Sequence, residues 1–100
     1  MKIDYSKTFE KTVYRLSGKI RNSVAEALQK VKEAETIDEI TDCKKLSSYK
    51  FVYRMRIGNL RAFFVFHIDI ENDTVVFEYI FNRGEAYKKE NEDKLRRKDK

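Results

Sequence analysis

Between Cys43 and Ile68 the chain carries Lys44, Lys45, Lys50, Arg54, Arg56 and Arg61 but no aspartate or glutamate; Asp42 and Asp69 stand just outside this block. Elsewhere the two signs of charge are mixed. A one-sign block inside an apolar, folding segment marks a surface that meets an anion, and RNA phosphate is the first candidate. Cations can do chemistry on RNA without a metal, because the ribose 2′-OH can attack the neighbouring phosphate. The protein must then orient the nucleophile in line, neutralise the extra phosphate charge and help move protons. Arginine suits the second task, since its forked donors match phosphate oxygens.

Other chemistries are poorly provided for. One histidine, His67, and one cysteine, Cys43, make no metal-ligand set, and there is neither a phosphate-cradling glycine loop nor a dinucleotide fingerprint. No acidic pair stands near the basic block, which argues against a two-metal nuclease. A lone thiol forms no internal disulfide and reads as a spectator in a reducing compartment. The start, Met1-Lys2-Ile3-Asp4, is unlike a signal peptide, and no run approaches the ~18 apolar residues of a membrane span. The expected location is cytoplasmic, with no membrane partner and no cofactor. The chain has 100 residues, 41% hydrophobic, 13% aromatic and 39% charged, with a formal net charge of +5. That is one domain with enough apolar material for one core, and a charge excess that favours a polyanion or an acidic protein.

The basic block must be positioned by strands. From Lys50 to Ile57, Phe51, Tyr53, Met55 and Ile57 alternate with Lys50, Val52, Arg54 and Arg56. Gly58-Asn59 reads as a two-residue hairpin turn, and Leu60 to Ile68 as the returning strand. The turn sets the register: Ile57 faces Leu60, Met55 faces Ala62, Tyr53 faces Phe64 and Phe51 faces Phe66 on an apolar face. The other face holds Arg56 opposite Arg61, Arg54 opposite Phe63, Val52 opposite Val65 and Lys50 opposite His67. Two arginines directly opposite each other destabilise a hairpin by a few tenths of a kcal/mol or more. Either they splay into water or they share an anion.

The remaining elements frame this hairpin. Met1 to Tyr5 alternates as a short strand, Ser6 is a helix N-cap, and Phe9, Val13 and Leu16 recur at helical spacing up to Ser17-Gly18. A second helix carries Ile20, Val24, Leu28 and Val31 on one stripe. Residues 36–45 form a connector with a helical turn at Ile37 to Ile40. Glu71-Asn72-Asp73 is a polar turn, and Thr74 to Phe81, apolar on both faces save Glu78, is an interior strand. Residues 88–100 hold seven basic and four acidic side chains with Leu95 the one large aliphatic, a solvated helix or a frayed tail that does not dock strongly by itself. The predicted class is α+β: an N-terminal strand and a two-helix hairpin on a twisted antiparallel sheet, with a single domain over 1–87 and a basic helix or tail over 88–100.

A family resemblance rests on these residues. Lys45-Leu46, the run Tyr53-Arg54-Met55-Arg56-Ile57-Gly58-Asn59-Leu60-Arg61-Ala62-Phe63-Phe64, and the ending Phe81-Asn82-Arg83-Gly84-Glu85-Ala86-Tyr87 resemble the central hairpin and final strand of the RelE/ParE toxin superfamily, over about residues 1–90. The RelE-like branch implies the toxin of a type II toxin–antitoxin pair: a metal-independent, ribosome-dependent endoribonuclease that cuts translated mRNA and is stored in complex with a cognate antitoxin. By the resemblance, Arg61 is the hairpin arginine at the scissile phosphate, Arg83 the arginine at the end of the last strand, and Tyr87 the terminal tyrosine that stacks on a base or helps proton transfer. Arg54 and Arg56 stand where RelE proper has lysines, and Asn82 where some related RNases have a histidine. Arginine stays charged and makes a poor base, so His67, on the same predicted face, is the candidate substitute. Lys44, Lys45, Lys50 and Arg54 are expected phosphate contacts, and Tyr49 a second stacking surface. Two alternatives remain open: a ParE-like protein of the same fold that binds DNA gyrase, and an inactive homologue that binds RNA or a protein.

Overall fold

The computed structural model describes residues 1–67 and 74–100. The expected end of the returning strand at Ile68 and the turn at Glu71-Asn72-Asp73 lie outside the described residues. In chain order the elements are β1 (Lys2–Tyr5), α1 (Lys7–Tyr14), α2 (Gly18–Glu33), a 3-10 turn (Ile37–Glu39), β2 (Cys43–Lys45), β3 (Val52–Ile57), β4 (Leu60–Val65), β5 (Thr74–Asn82) and α3 (Lys89–Lys98). The five strands form one sheet in the order β1-β5-β4-β3-β2. It is mixed: β1 runs parallel to β5, and the other three pairings are antiparallel.

The hairpin register follows the alternation read from the sequence. Val52 pairs with Val65, Tyr53 with Phe64, Arg54 with Phe63, Met55 with Ala62, Arg56 with Arg61 and Ile57 with Leu60. Gly58 supplies the positive φ of the turn, 57°, a conformation glycine takes without a Cβ penalty. One apolar face, with Met55, Ala62, Phe64 and Phe77, packs on Phe9, Val24 and Val31 of the two helices. The opposite face gathers Val52, Phe63 and Val65 under Tyr49, Ala86 and Leu95. The central strand β4 is thus buried along its whole length, on both faces.

Ser6 is the predicted N-cap, and its hydroxyl does two things. It accepts from the Phe9 N–H at 3.0 Å and donates to the Glu78 carbonyl at 2.7 Å. Glu78 is available because the β4–β5 register slips there: Phe63 pairs with Tyr79 but Phe64 with Phe77. The interrupting glutamate is therefore a bulge that ties α1 to the sheet.

Several sequence expectations are revised by packing. Ser17-Gly18 does not end the first helix; α1 is capped at Arg15, and Ser17 is the N-cap of α2. Burial on α2 begins at Val24, so Ile20 is exposed. The connector contains β2, a three-residue edge strand whose Lys44 pairs with Arg54; charge on so short an edge hides it from pattern reading and guards it against stray pairing. The hairpin strand starts at Val52, because the Lys50 and Phe51 N–H groups donate to the Asp99 carboxylate at 2.8 and 2.7 Å. Phe51 accordingly leaves the α1–α2 face and packs with Val52, Phe63 and Leu95. Finally, the C-terminal segment docks firmly. Leu95 is 2% exposed, Asn91 Nδ2 donates to the Glu85 carbonyl at 2.7 Å, and Asp99 clasps the far end. A helix that looks solvated by composition needs only one leucine, one buried amide and one cap to close a sheet face of 100-residue scale.

Candidate active site

β3, β4 and the turn after β5 bring five side chains together at one end of the sheet. Arg61 is the one charged residue of β4 and is 9% exposed. Its Nη1 donates to the carbonyls of Gly58 and Leu60, both at 2.9 Å, so the guanidinium is folded back on the hairpin turn and held there. Arg83 follows β5, and its N–H donates to the Asn59 carbonyl at 2.8 Å, which fixes it beside the same turn. The exposed Arg56 lies across the ladder from Arg61. Arg54 Nη1 donates to the Tyr87 hydroxyl at 3.3 Å, and the Tyr87 ring stands edge-on to Phe63 with centroids 6.4 Å apart.

The electrostatics make these residues one group. Desolvation lowers the Arg61 pKa; Arg83, Arg54 and Arg56 lower it further, while Tyr87 acts in the opposite sense. Arginine keeps its proton regardless. The like-charge pair is thus accommodated by sending one guanidinium to the turn carbonyls and the other to solvent. Among the described residues no carboxylate forms an ion pair with any arginine of the group, and Arg54 Nε is buried without a hydrogen-bond partner. Four cations gathered with no internal counter-charge are arranged for an external anion.

Not every candidate joins them. His67 lies beyond the end of β4, roughly 20 Å along the strand direction from Arg61 at 3.4 Å per residue. Its ring packs on Phe51 at 4.1 Å, and Nε2 meets the Lys100 carbonyl, so it belongs to the clasp around α3. Tyr49 is buried, its ring covered by the Arg96 guanidinium at 4.8 Å, which leaves no free stacking face. Lys45 turns its ammonium inward onto the Tyr49 carbonyl. Lys50 sits at the Asp99 clasp through its N–H. Lys44 is exposed and paired with Arg54, at the edge of the arginine group. Cys43 is inert: burial pushes its thiol up to about 11, with Arg54 pulling the other way.

The residue missed in the sequence is Glu92. It lies on the docked side of α3 with Asn91 and Leu95, and lines a cavity of about 170 Å³ with Lys44, Lys45, Tyr49 and Tyr87. The signal was present in the spacing of 91, 92 and 95, one helical face. Among the described residues no three His, Cys, Asp or Glu side chains are placed to hold a metal, and no helix is long and apolar enough to cross a membrane.

No family model matches the sequence. Toxin RelE3 of Methanocaldococcus jannaschii is 28% identical over 88 residues, which cover 87% of this chain and 96% of that protein. Among solved structures, the RelB–RelE antitoxin–toxin complex from Methanococcus jannaschii matches with a TM-score of 0.67 and 25% identity, over 84% of this chain and 94% of the matched one. The archaeal RelE–RelB complex from Pyrococcus horikoshii OT3 matches with a TM-score of 0.68 and 18% identity, over 85% and 97%. Near full-length similarity in sequence and fold, with the arginine hairpin in place, makes the chain similar to the RelE-like toxins.

Proposed function

We propose that this protein is the toxin of a type II toxin–antitoxin pair and an endoribonuclease that cleaves mRNA during translation, in the cytoplasm and without a metal. The observation that carries the reading is Arg61: a buried cation pinned to the hairpin turn, with Arg54, Arg56, Arg83 and Tyr87 around it and, among the described residues, no carboxylate ion-paired with them. In the proposed reaction the 2′-oxygen attacks the adjacent phosphorus, the 2′ proton is lost, and the bond from phosphorus to the 5′-oxygen breaks as that oxygen gains a proton. The products are a 2′,3′-cyclic phosphate and a 5′-hydroxyl. Arg61 and Arg83 neutralise the phosphate oxygens, and Arg56 approaches from the solvent side. Tyr87 stacks on a flanking base or passes a proton, its hydroxyl oriented by Arg54.

The group contains no histidine, lysine or carboxylate to serve as a strong base. Rate enhancement then comes from in-line positioning and charge neutralisation, and the ribosome contributes the orientation of the substrate. The stored form is a complex with an antitoxin that supplies the missing negative charge.

The test is induction of this chain alone in bacteria with mapping of mRNA 5′ ends, beside an Arg61→Ala/Arg83→Ala double variant. Cuts at fixed positions within translated codons, lost in the double variant, are expected. Growth arrest with no such cuts would point instead to a gyrase-directed, ParE-like action. Soluble protein with neither arrest nor cuts would mean an inactive binding homologue.

A further inference from the structure

Beside Tyr87 the surface opens into the 170 Å³ cavity between the segment after β2, the start of the last turn and α3. At 10–15 Å³ per water position this is on the order of ten waters, room for one planar ring. Tyr87, half exposed, forms one side. On the other, Tyr49 donates its hydroxyl to the Glu92 carbonyl at 3.4 Å.

The carboxylate of Glu92 is the unexplained group. It is half-buried on the docked face of α3, yet among the described residues it has no hydrogen-bond partner and no ion pair. Of the two lysines in the wall, Lys45 is engaged with the Leu46 and Tyr49 carbonyls and Lys44 forms no ion pair with Glu92; Arg96, next to Leu95 on α3, is turned to the Ser48 carbonyl and the Tyr49 ring. Its charge does reach the cavity. The Tyr49 pKa is raised first by burial, with Arg96 opposing and Glu92 adding to the rise. A half-buried acceptor without a donor is costly until a ligand brings one.

The ligand's chemistry follows from the wall. Phosphate is repelled by Glu92 and is better served by the arginines outside. A nucleobase suits an exposed tyrosine and an acceptor. Guanine alone offers two adjacent donors, N1–H and the N2 amino group, to the two oxygens of a carboxylate. Adenine and cytosine offer one amino group beside an acceptor, and uracil one N–H between acceptors. We infer that this cavity is a nucleobase pocket next to the scissile phosphate, with Tyr87 stacking on the base and Glu92 selecting guanine. The inference rests on reading the arginine group as an RNA-cleaving site, and it names that site's specificity residue.

The test has two arms. In the first, the full chain is titrated with a fluorescein-labelled six-nucleotide RNA holding one guanosine, and with the same RNA holding inosine, which lacks only the N2 amino group. Wild type should prefer guanosine by about tenfold, and Glu92→Gln should bring the ratio toward one. Equal binding of the two RNAs by wild type overturns the inference, and this comparison needs no variant to fold. In the second arm, mapped cut sites from wild type should be enriched in guanine beside the cut, and the enrichment should fall in Glu92→Gln. Cuts with no guanine enrichment overturn the pocket and leave the nuclease standing. A guanosine preference in binding without any cuts removes the nuclease and supports the pocket.

Discussion

Replacing Arg61 with alanine should separate the catalytic demand on this residue from its structural one. The side chain makes two hydrogen bonds, to the Gly58 and Leu60 carbonyls at 2.9 Å. Each contributes about 0.5–1.5 kcal/mol net, so their loss costs about 1–3 kcal/mol. Against this, the substitution removes a cation that Arg83, Arg54 and Arg56 all disfavour, returning a few tenths of a kcal/mol for each neighbour. The net cost is at most about 2 kcal/mol, or up to roughly 16 °C in Tm for a domain of this size. Cleavage should fall much further, by about 10²–10³, the effect of deleting one preorganised donor to a transition-state oxyanion. Arg61→Lys keeps the charge but loses the fork, so it cannot hold the turn and the phosphate together. It should melt close to wild type and still lose about tenfold or more in rate. The assay is single-turnover cleavage on programmed ribosomes with thermal melts of the same preparations. The reasoning is refuted if cleavage by Arg61→Ala drops only in proportion to its unfolded fraction, or if Arg61→Lys retains full activity.

Three further predictions concern the scaffold. Leu95→Ala should destabilise the docked α3 by about 2–5 kcal/mol, seen as faster hydrogen exchange and proteolysis within 89–98 while the β3–β4 amides stay protected; uniform loss of protection would show that α3 is not a separable unit. With its thiol at about 11 against an ordinary 9.0, Cys43 should have about 100-fold less thiolate at pH 8 than an open thiol, so iodoacetamide should label it only after denaturation. The Glu35 and Thr36 N–H groups hold the Glu39 carboxyl below its usual value, with burial opposing. Its contribution is therefore present above about pH 4.5 and lost as pH falls through the lowered value; Thr36 amide shifts should report that step, and Glu39→Gln should abolish it.

The hairpin was legible because every residue voted for one register. Strict alternation in Tyr53, Met55 and Ile57, a Gly-Asn turn of fixed length and a matching return strand leave no second pairing that buries the same face. β2 was not legible, because Cys43-Lys44-Lys45 is too short to alternate and is strand only by virtue of the β3 edge beside it. The docking of α3 was hidden for a related reason. Its burial depends on Tyr49 and Asp99, which are distant in sequence, and Leu95 by itself carries no periodicity. Phe51 shows the limit of alternation: a tertiary cap from Asp99 took its N–H, and the side chain changed faces. Arg61, Arg83 and Tyr87 were named by resemblance, and the fold does place them together. His67 was named from the predicted register, which put it on the cationic face opposite Lys50, and Tyr49 as an aromatic stacking surface beside the basic block. Strand length carried the one away, and α3 covered the other.

What the scaffold tolerates at β4 is the stronger physical argument for an anion-binding role. A central strand buried on both faces normally excludes charge, since desolvation penalises a cation unless a partner compensates it. Here the partners are two neutral carbonyls, and the nearest charges are of the same sign. A leucine or valine at this position would remove both penalties. The fold could have placed an aspartate nearby, yet the acids stop at Asp42 and, among the described residues, the ion pairs lie elsewhere, at Lys88–Glu85 and Lys98–Glu78. An uncompensated, preorganised cation gains most from a ligand that brings negative charge, because the cost of assembling the site is already met in the free protein. The same imbalance is what an antitoxin must answer. An acidic segment laid over the arginines would quench the site by satisfying it, with no change in the fold beneath.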